Sequence, residues 1–191
     1  MVKDPATSFQ EYYKYSLEKT KSLLDSVGQP FFLSSGTLLG AYRDNAFIHG
    51  DSDIDLNIMA DKFDPRVILH WLKSQVYPTI HIHGIFSRDL RIFLDWKYAP
   101  VEINLLYPVP GALQYYSYHS GGYYWFNHIR DFVPYVFYGK QYLIPANTEE
   151  YLTETYGEDW RTPKSYTFTE GVETKEYKNF MTQADFEKLY V

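Results

Sequence analysis

Apolar residues return at helical spacing over residues 8–27, where Phe9, Tyr13, Leu17, Leu24 and Val27 share one face. Ser8 and Glu11 stand at capping-box spacing, and Gly28 followed by Pro30 marks the stop. A short apolar strand at 31–33 is broken by Ser34, Ser35 and Gly36; residues 37–43 predict one or two helical turns, and Asp44-Asn45 a turn. From Phe47 to Ile58 the pattern becomes that of a strand. Asp51, Asp53, Asp55 and Asn57 fall on one side, and Ile54, Leu56 and Ile58 on the other. Asp64 and Pro65 open a second helix over 64–77, and strands are expected at 79–86, 90–96 and 101–107. The aromatic stretch 111–142 has no single period. Residues 148–156 predict a short helix ended by Gly157, and the polar segment after Pro163 reads as a docked extension. With no repeat, low-complexity tract or linker, residues 1–191 read as one domain of mixed helices and strands, α/β in the broad sense (α+β).

Composition narrows the function. The chain is 45% apolar and 22% charged, an ordinary globular balance that excludes wholesale disorder. A formal net charge of -6 argues against a nucleic-acid polymer as partner, though not against a nucleotide held through a metal ion. The absence of cysteine excludes disulfides, thiolate metal sites and cysteine nucleophiles. No signal peptide opens the sequence and no apolar run has membrane-spanning length, so a cytoplasmic protein without a membrane span is the expectation.

The acidic segment carries the chemistry. Three carboxylates at period two on one strand face repel one another unless a cation sits between them. A hard divalent ion, Mg²⁺ or Mn²⁺, suits such oxygen ligands. Positions two apart on a strand are separated by about 6.6–6.8 Å, so neighbouring carboxylates can converge on one ion, whereas Asp51 and Asp55 are about 13 Å apart. Asp53 and Asp55 are therefore the expected main pair, with Asp51 as a second-ion ligand or an outer group. A solvated acidic face is the plainer alternative. A calcium loop of EF-hand type is excluded, because Leu56 and Lys62 replace its required Gly and Glu. Upstream, a strand ending at Ser35-Gly36 and opening a helix leaves backbone N–H groups free for an anion, with Ser35 and Thr37 hydroxyls and the Arg43 charge at hand. Glu102, sharing a face with Asn104, is the candidate general base or further metal ligand, with Asp95 in reserve.

At residues 32–43, 48–58 and 101–107, and again at 144–152 and 156–163, the sequence resembles the LicD / fukutin-related family of phosphotransferases. The resemblance spans residues 31–163 and implies a nucleotidyltransferase-like fold: a small mixed sheet flanked by helices around a Mg²⁺-dependent site. It also implies transfer of a phospho-alcohol, such as phosphocholine or ribitol phosphate, from a CDP-linked donor to a glycan acceptor. By position, Gly36 and Thr37 would hold donor phosphate, Asp53 and Asp55 metal, and Glu102 would stand where the family usually has Asp. Ser52 departs from a common Asp, and His49-Gly50 from a Pro-aromatic pair.

Other readings stay open on the residues alone. Another nucleotidyltransferase, a sugar-nucleotide glycosyltransferase using Asp-X-Asp, and a non-catalytic module binding nucleotide or glycan all fit an acidic strand beside a Gly turn. Residues 115–126 can line a donor pocket or simply pack as core. His81 and His83 share a strand face that suits a transition metal, or merely solvent.

Overall fold

In a computed structural model, residues 5–67, 71, 79–96, 99–109, 113–119, 122–127, 129–165, 167–173, 175–182 and 184 are described. Helix α1 runs Pro5–Asp25, three residues earlier than the periodicity suggested. Ser8 therefore lies inside the helix, and no capping box forms there. The stop is as expected: Gly28 takes φ +68°, and the Gly28 and Gln29 N–H groups bond back to Asp25 O and Leu24 O. Strand β1 is Phe32–Leu33, helix α2 is Ser35–Leu39, and a π-helical turn Gly40–Asp44 ends at Asn45 with φ +50°. The helix expected over 64–77 falls mostly outside the described residues; Arg66, Val67 and Trp71 are helical, and the Arg66 N–H donates to Asp64 Oδ1 at 2.9 Å.

The acidic segment is where sequence and structure part. Strand β2 is Ile54–Met59, so Asp51 and Asp53 precede it in a loop and only Asp55 is a strand residue. The neighbours explain this: β5 (Pro100–Pro108) begins to pair at Ile54, and β1 reaches only Leu56 and Asn57. Residues 47–51 instead follow α1. Gln10 forms two hydrogen bonds with the Phe47 backbone (2.7 and 2.9 Å), Tyr13 OH donates to Asp51 O at 2.6 Å, and Gly50 turns the chain at φ +87°.

Strands β3 (Thr79–His83), β4 (Arg91–Asp95) and β5 form an antiparallel meander, and β2 lies parallel to β5. The unassigned aromatic region resolves into two hairpins, β6 (Tyr115–His119) with β7 (Gly122–Phe126), and β8 (Phe132–Phe137) with β9 (Lys140–Pro145). Tyr138 and Gly139, both at positive φ, make the tight turn of the second. Helix α3 is Thr148–Tyr156, as the sequence indicated. The tail contributes α4 (Phe168–Glu173) and β10 (Phe180–Thr182). The strand order is β10-β7-β6-β5-β2-β1-β9-β8, with β4 and β3 joined through β5.

One face of β2, β5 and β4 is apolar and sealed: Ile54, Leu56, Ile58, Val101, Ile103, Ile92 and Leu94 are fully buried in a core shared with Leu17 and Leu24 of α1. Each such side chain contributes about 1.5–3 kcal/mol by leaving water. No helix among the described residues is long and apolar enough to cross a membrane.

The tail is docked by a buried exchange. Asn179 Nδ2 donates to Trp125 O at 2.7 Å and Trp125 N–H donates to Asn179 O at 3.0 Å, while Phe180 packs where a Cβ on Gly122 would collide with its ring. Asn179→Ala leaves the buried Trp125 carbonyl without that donor. It should lower stability by about 1–3 kcal/mol, read as a shift of the denaturant midpoint, and should speed proteolytic clipping after residue 163.

Candidate active site

Register builds the site. In the β2–β5 pair Asp55 lies opposite Glu102, and in the β4–β5 pair Glu102 lies opposite Phe93, so the three side chains share one sheet face. Glu102 is 6% exposed. Asp53, from the bend before β2, completes a group in which single oxygens of Asp53, Asp55 and Glu102 all lie within 4.8 Å of one another. Among the described residues no other cluster of His, Asp or Glu reaches three members. His81 and His83 accordingly have no third ligand there, and both are exposed.

The turn at Ser34–Thr37 is built around Asp55. The Gly36 N–H donates to Asp55 Oδ2 at 3.0 Å, and the Asp55 N–H donates to Thr37 Oγ1 at 2.9 Å. The anion at the start of α2 is thus the protein's own carboxylate. Asp51 also comes close: a Cβ on Gly36 would lie 2.5 Å from Asp51 Oδ2, so only glycine lets the turn approach both carboxylates. Ser35 sits at φ +43° with its N–H 3.3 Å from Tyr151 OH. Asp51 and Asp53 are tied through Ser52, whose N–H donates to Asp51 Oδ1 and whose Oγ donates to Asp53 Oδ1.

These groups open into a cavity of about 380 Å³, within the usual range of ligand sites. Ser35, Gly36, Asp51, Asp53, Asp55 and Glu102 line it. Thr37 and Arg43 do not line it. Thr37 is buried against Asp55, and Arg43 pairs with Asp44 at 2.7 Å and reaches Trp160 O at 3.4 Å. Asp95 is exposed at the end of β4 and also lies outside it. Tyr124, Tyr156 and Tyr177, with Thr155 and Thr167, complete the lining. The Tyr177 ring centroid is 6.0 Å from those of both Tyr124 and Tyr156. Sequence reasoning placed Tyr124 in a stretch that can line a donor pocket and Tyr156 in a segment that resembles the family. It missed Thr167 and Tyr177, which only tail docking brings in, and Arg91, whose Nη1 lies 3.6 Å from Glu102 Oε1.

Burial and mutual repulsion set the charge state. Burial, then the Asp53 charge, pushes Asp51 up to about 6. Burial, then Asp53, pushes Glu102 up to about 7, partly offset by Arg91. Asp53 is raised by burial, and Asp55 is raised well above the carboxylate range by burial and by Asp53, Asp51 and Glu102, against the opposing Gly36 hydrogen bond. The arrangement is therefore short of positive charge, and the oxygens of Asp53, Asp55 and Glu102 could hold a divalent cation.

An α+β domain with a carboxylate cluster beside a glycine turn has the layout of a nucleotidyltransferase-type catalytic domain. The chain belongs to the family described as LicD/FKTN/FKRP, nucleotidyltransferase domain, whose model matches residues 28–147. It is 24% identical over 174 residues to two proteins named ribitol-5-phosphate transferase FKTN, from Mus musculus and Homo sapiens. Each match takes in 83% of this chain and 35% of the relative, so the chain spans about a third of the length of these curated relatives.

The electrostatics predict a pH effect with a definite sign. A carboxyl whose folded pKa is raised adds stability below its unfolded value and loses it as pH rises through the folded one. For Glu102 that window runs from 4.5 to about 7, and for Asp51 from 3.8 to about 6. In EDTA the melting temperature should fall across this range, each group contributing about 1.4 kcal/mol per pH unit of its window. Mg²⁺ or Mn²⁺ should flatten the fall, and Asp53→Asn should flatten it without metal.

Proposed function

We propose that this cavity transfers a phospho-alcohol, of the ribitol-phosphate type, from a CDP-linked donor to a hydroxyl of a glycan acceptor, with a divalent cation bound. The observation that carries this reading is the convergence of Asp53, Asp55 and Glu102 in a cavity faced by tyrosine rings. Family membership and the names of the relatives agree with it.

The residues present fit a divalent cation. Single oxygens of Asp53, Asp55 and Glu102 lie within 4.8 Å of one another, and the buried Glu102 Oε1 has the Arg91 guanidinium near it at 3.6 Å but no hydrogen bond of its own. Asp53 and Asp55 would hold the ion, with Asp51 beside them. When bound, the ion screens the donor phosphates and the charge that grows on the transferring phosphoryl group.

The chain's own groups supply the rest. Gly36 fixes the Asp55 carboxylate through its N–H, so Asp55 keeps its orientation without a mobile partner. Glu102, opposite Asp55 on the neighbouring strand, accepts the acceptor hydroxyl proton as the new oxygen–phosphorus bond forms. The bond from that phosphorus to the bridging oxygen breaks, and CMP departs with the electron pair. Tyr124, Tyr156 and Tyr177 give the nucleoside an aromatic wall on which a base can stack. Arg43, turned to Asp44 and Trp160, has no part in these steps.

CMP release from CDP-ribitol with Mg²⁺ and a glycan acceptor tests the reading. Asp53→Asn and Asp55→Asn should abolish turnover, and Glu102→Gln should lower kcat by about 10²–10⁴-fold, all with unchanged far-UV circular dichroism. Undiminished turnover in Asp53→Asn or Asp55→Asn would refute it. Tyr177→Ala should raise KM for the donor several-fold while leaving kcat nearer to wild type.

A further inference from the structure

The sheet face that carries Asp55 also carries an apolar row. Asp55 and Asn57 share a face of β2; Asn57 lies opposite Phe32, Phe32 opposite Leu143, and Leu143 opposite Pro134. At the Asp55 end the face closes into the cavity described above. Toward β9 and β8 it opens: Phe32 is buried, Leu143 half-buried and Pro134 exposed. A second cavity of about 260 Å³ lies there, lined by Phe31, Phe32, Met59, Phe132 and Leu143 among others. The two cavities share no lining residue, and Met59 stands four positions along β2 from Asp55, about 13 Å away. A neighbouring hollow of about 400 Å³ shares Pro30, Phe31 and Leu143 with the second cavity, so the two join as one elongated trough.

The apolar lining is joined by one uncompensated charge. Arg130 is exposed and lines the second cavity, where its Nη1 donates to Leu113 O at 2.7 Å and to Ile129 O at 3.1 Å. These carbonyls fix the guanidinium without neutralising it. Among the described residues Arg130 has no carboxylate partner, and its Nε and Nη2 donate to nothing. Lys62 differs: Asp61 lies 3.3 Å from it and both line the same cavity, so they offset one another. Lys21, in the neighbouring hollow, is likewise paired with Asp25 at 2.8 Å. The net charge of the trough is therefore that of Arg130. Tyr115, half-buried in the same lining, has a hydroxyl with no hydrogen-bond partner among the described residues.

We propose that this trough is a second ligand site, for a soluble single-chain carboxylate: its alkyl tail lies on Phe31, Phe32, Phe132 and Leu143, and its head meets Arg130 and Tyr115. The tail gains by leaving water against side chains that the fold leaves only partly covered. The head gains a charge-assisted pair from the Nε and Nη2 edge of Arg130, the edge that matches a carboxylate in a bidentate way. A concave site with one unpaired cation suits one chain with one head. A bilayer surface would instead call for a cluster of cations. The site stands apart from the carboxylate cavity and does not depend on the transferase reading.

The test uses the full chain, isotope-labelled for NMR, with octanoate, 1-octanol and acetate as probes at concentrations where octanoate is monomeric. Octanoate should shift resonances of residues 30–32, 59–62, 115, 130–132 and 143, and bind at least several-fold more tightly than octanol or acetate. Arg130→Gln should weaken octanoate by about tenfold, the worth of one charge-assisted contact, and leave octanol unchanged. Leu143→Trp, which fills the trough from a half-buried position, should abolish binding of both while the far-UV circular dichroism stays native. Saturating CMP with Mg²⁺ should leave octanoate binding unaltered. Shifts that avoid these residues, octanol binding as tightly as octanoate, no effect of Arg130→Gln, or competition by CMP–Mg²⁺ would each overturn the site. Binding to phosphatidylcholine vesicles but not to monomeric octanoate would overturn it as well, in favour of a membrane surface.

Discussion

Everything in the site follows from holding negative charges together in a poorly solvated place. Asp55 and Glu102 are neighbours because β2 and β5 run parallel in that register, and the register is fixed by the apolar face behind them. A slip of one residue would turn Ile54 and Ile103 toward the cavity and the carboxylates into the core. The hydrophobic effect on one face thus supplies the energy that holds repelling groups together on the other. Release of that repulsion by a cation is the natural source of binding energy for one.

The local structure around Asp55 serves the same end. Thr37 and Gly36 grip its backbone and carboxylate, so α2 begins on a charge that the strand delivers. Gln10 and Tyr13 of α1 hold the loop that carries Asp51 and leads to Asp53. The acidic residues therefore reach one point by two routes, Asp55 along a strand and Asp51 and Asp53 along a tethered loop. That is why period-two spacing and a shared site coincide here without one continuous strand.

Much of this was legible in the residues. The alternation of Ile54, Leu56 and Ile58 against polar positions marked β2, and Val101, Ile103 and Leu105 marked β5 and put Glu102 on its polar face; the register that sets Asp55 opposite Glu102 came only with the structure. Gly28 and Gly157 marked helix ends because their positive φ is a local property. What stayed hidden depends on long-range contacts. The start of β2 is decided by where β5 and β1 cease to pair, not by the alternation upstream. Thr37 looked like a phosphate donor because its burial against Asp55 is a tertiary fact. Strand β7, within 111–142, carries side chains buried on both faces, at Tyr123, Tyr124, Trp125 and Phe126, and so shows no alternation to read.

The tail makes the last connection. Residues 148–182 lie beyond the span matched by the family, yet Thr155, Tyr156, Thr167 and Tyr177 line the cavity together with the carboxylates. The Asn179–Trp125 exchange seats this segment on β7, whose Tyr124 is part of the same lining. The acidic part of the lining is thus built from strand register inside the matched core, whereas the tyrosine part depends on docking of a later segment.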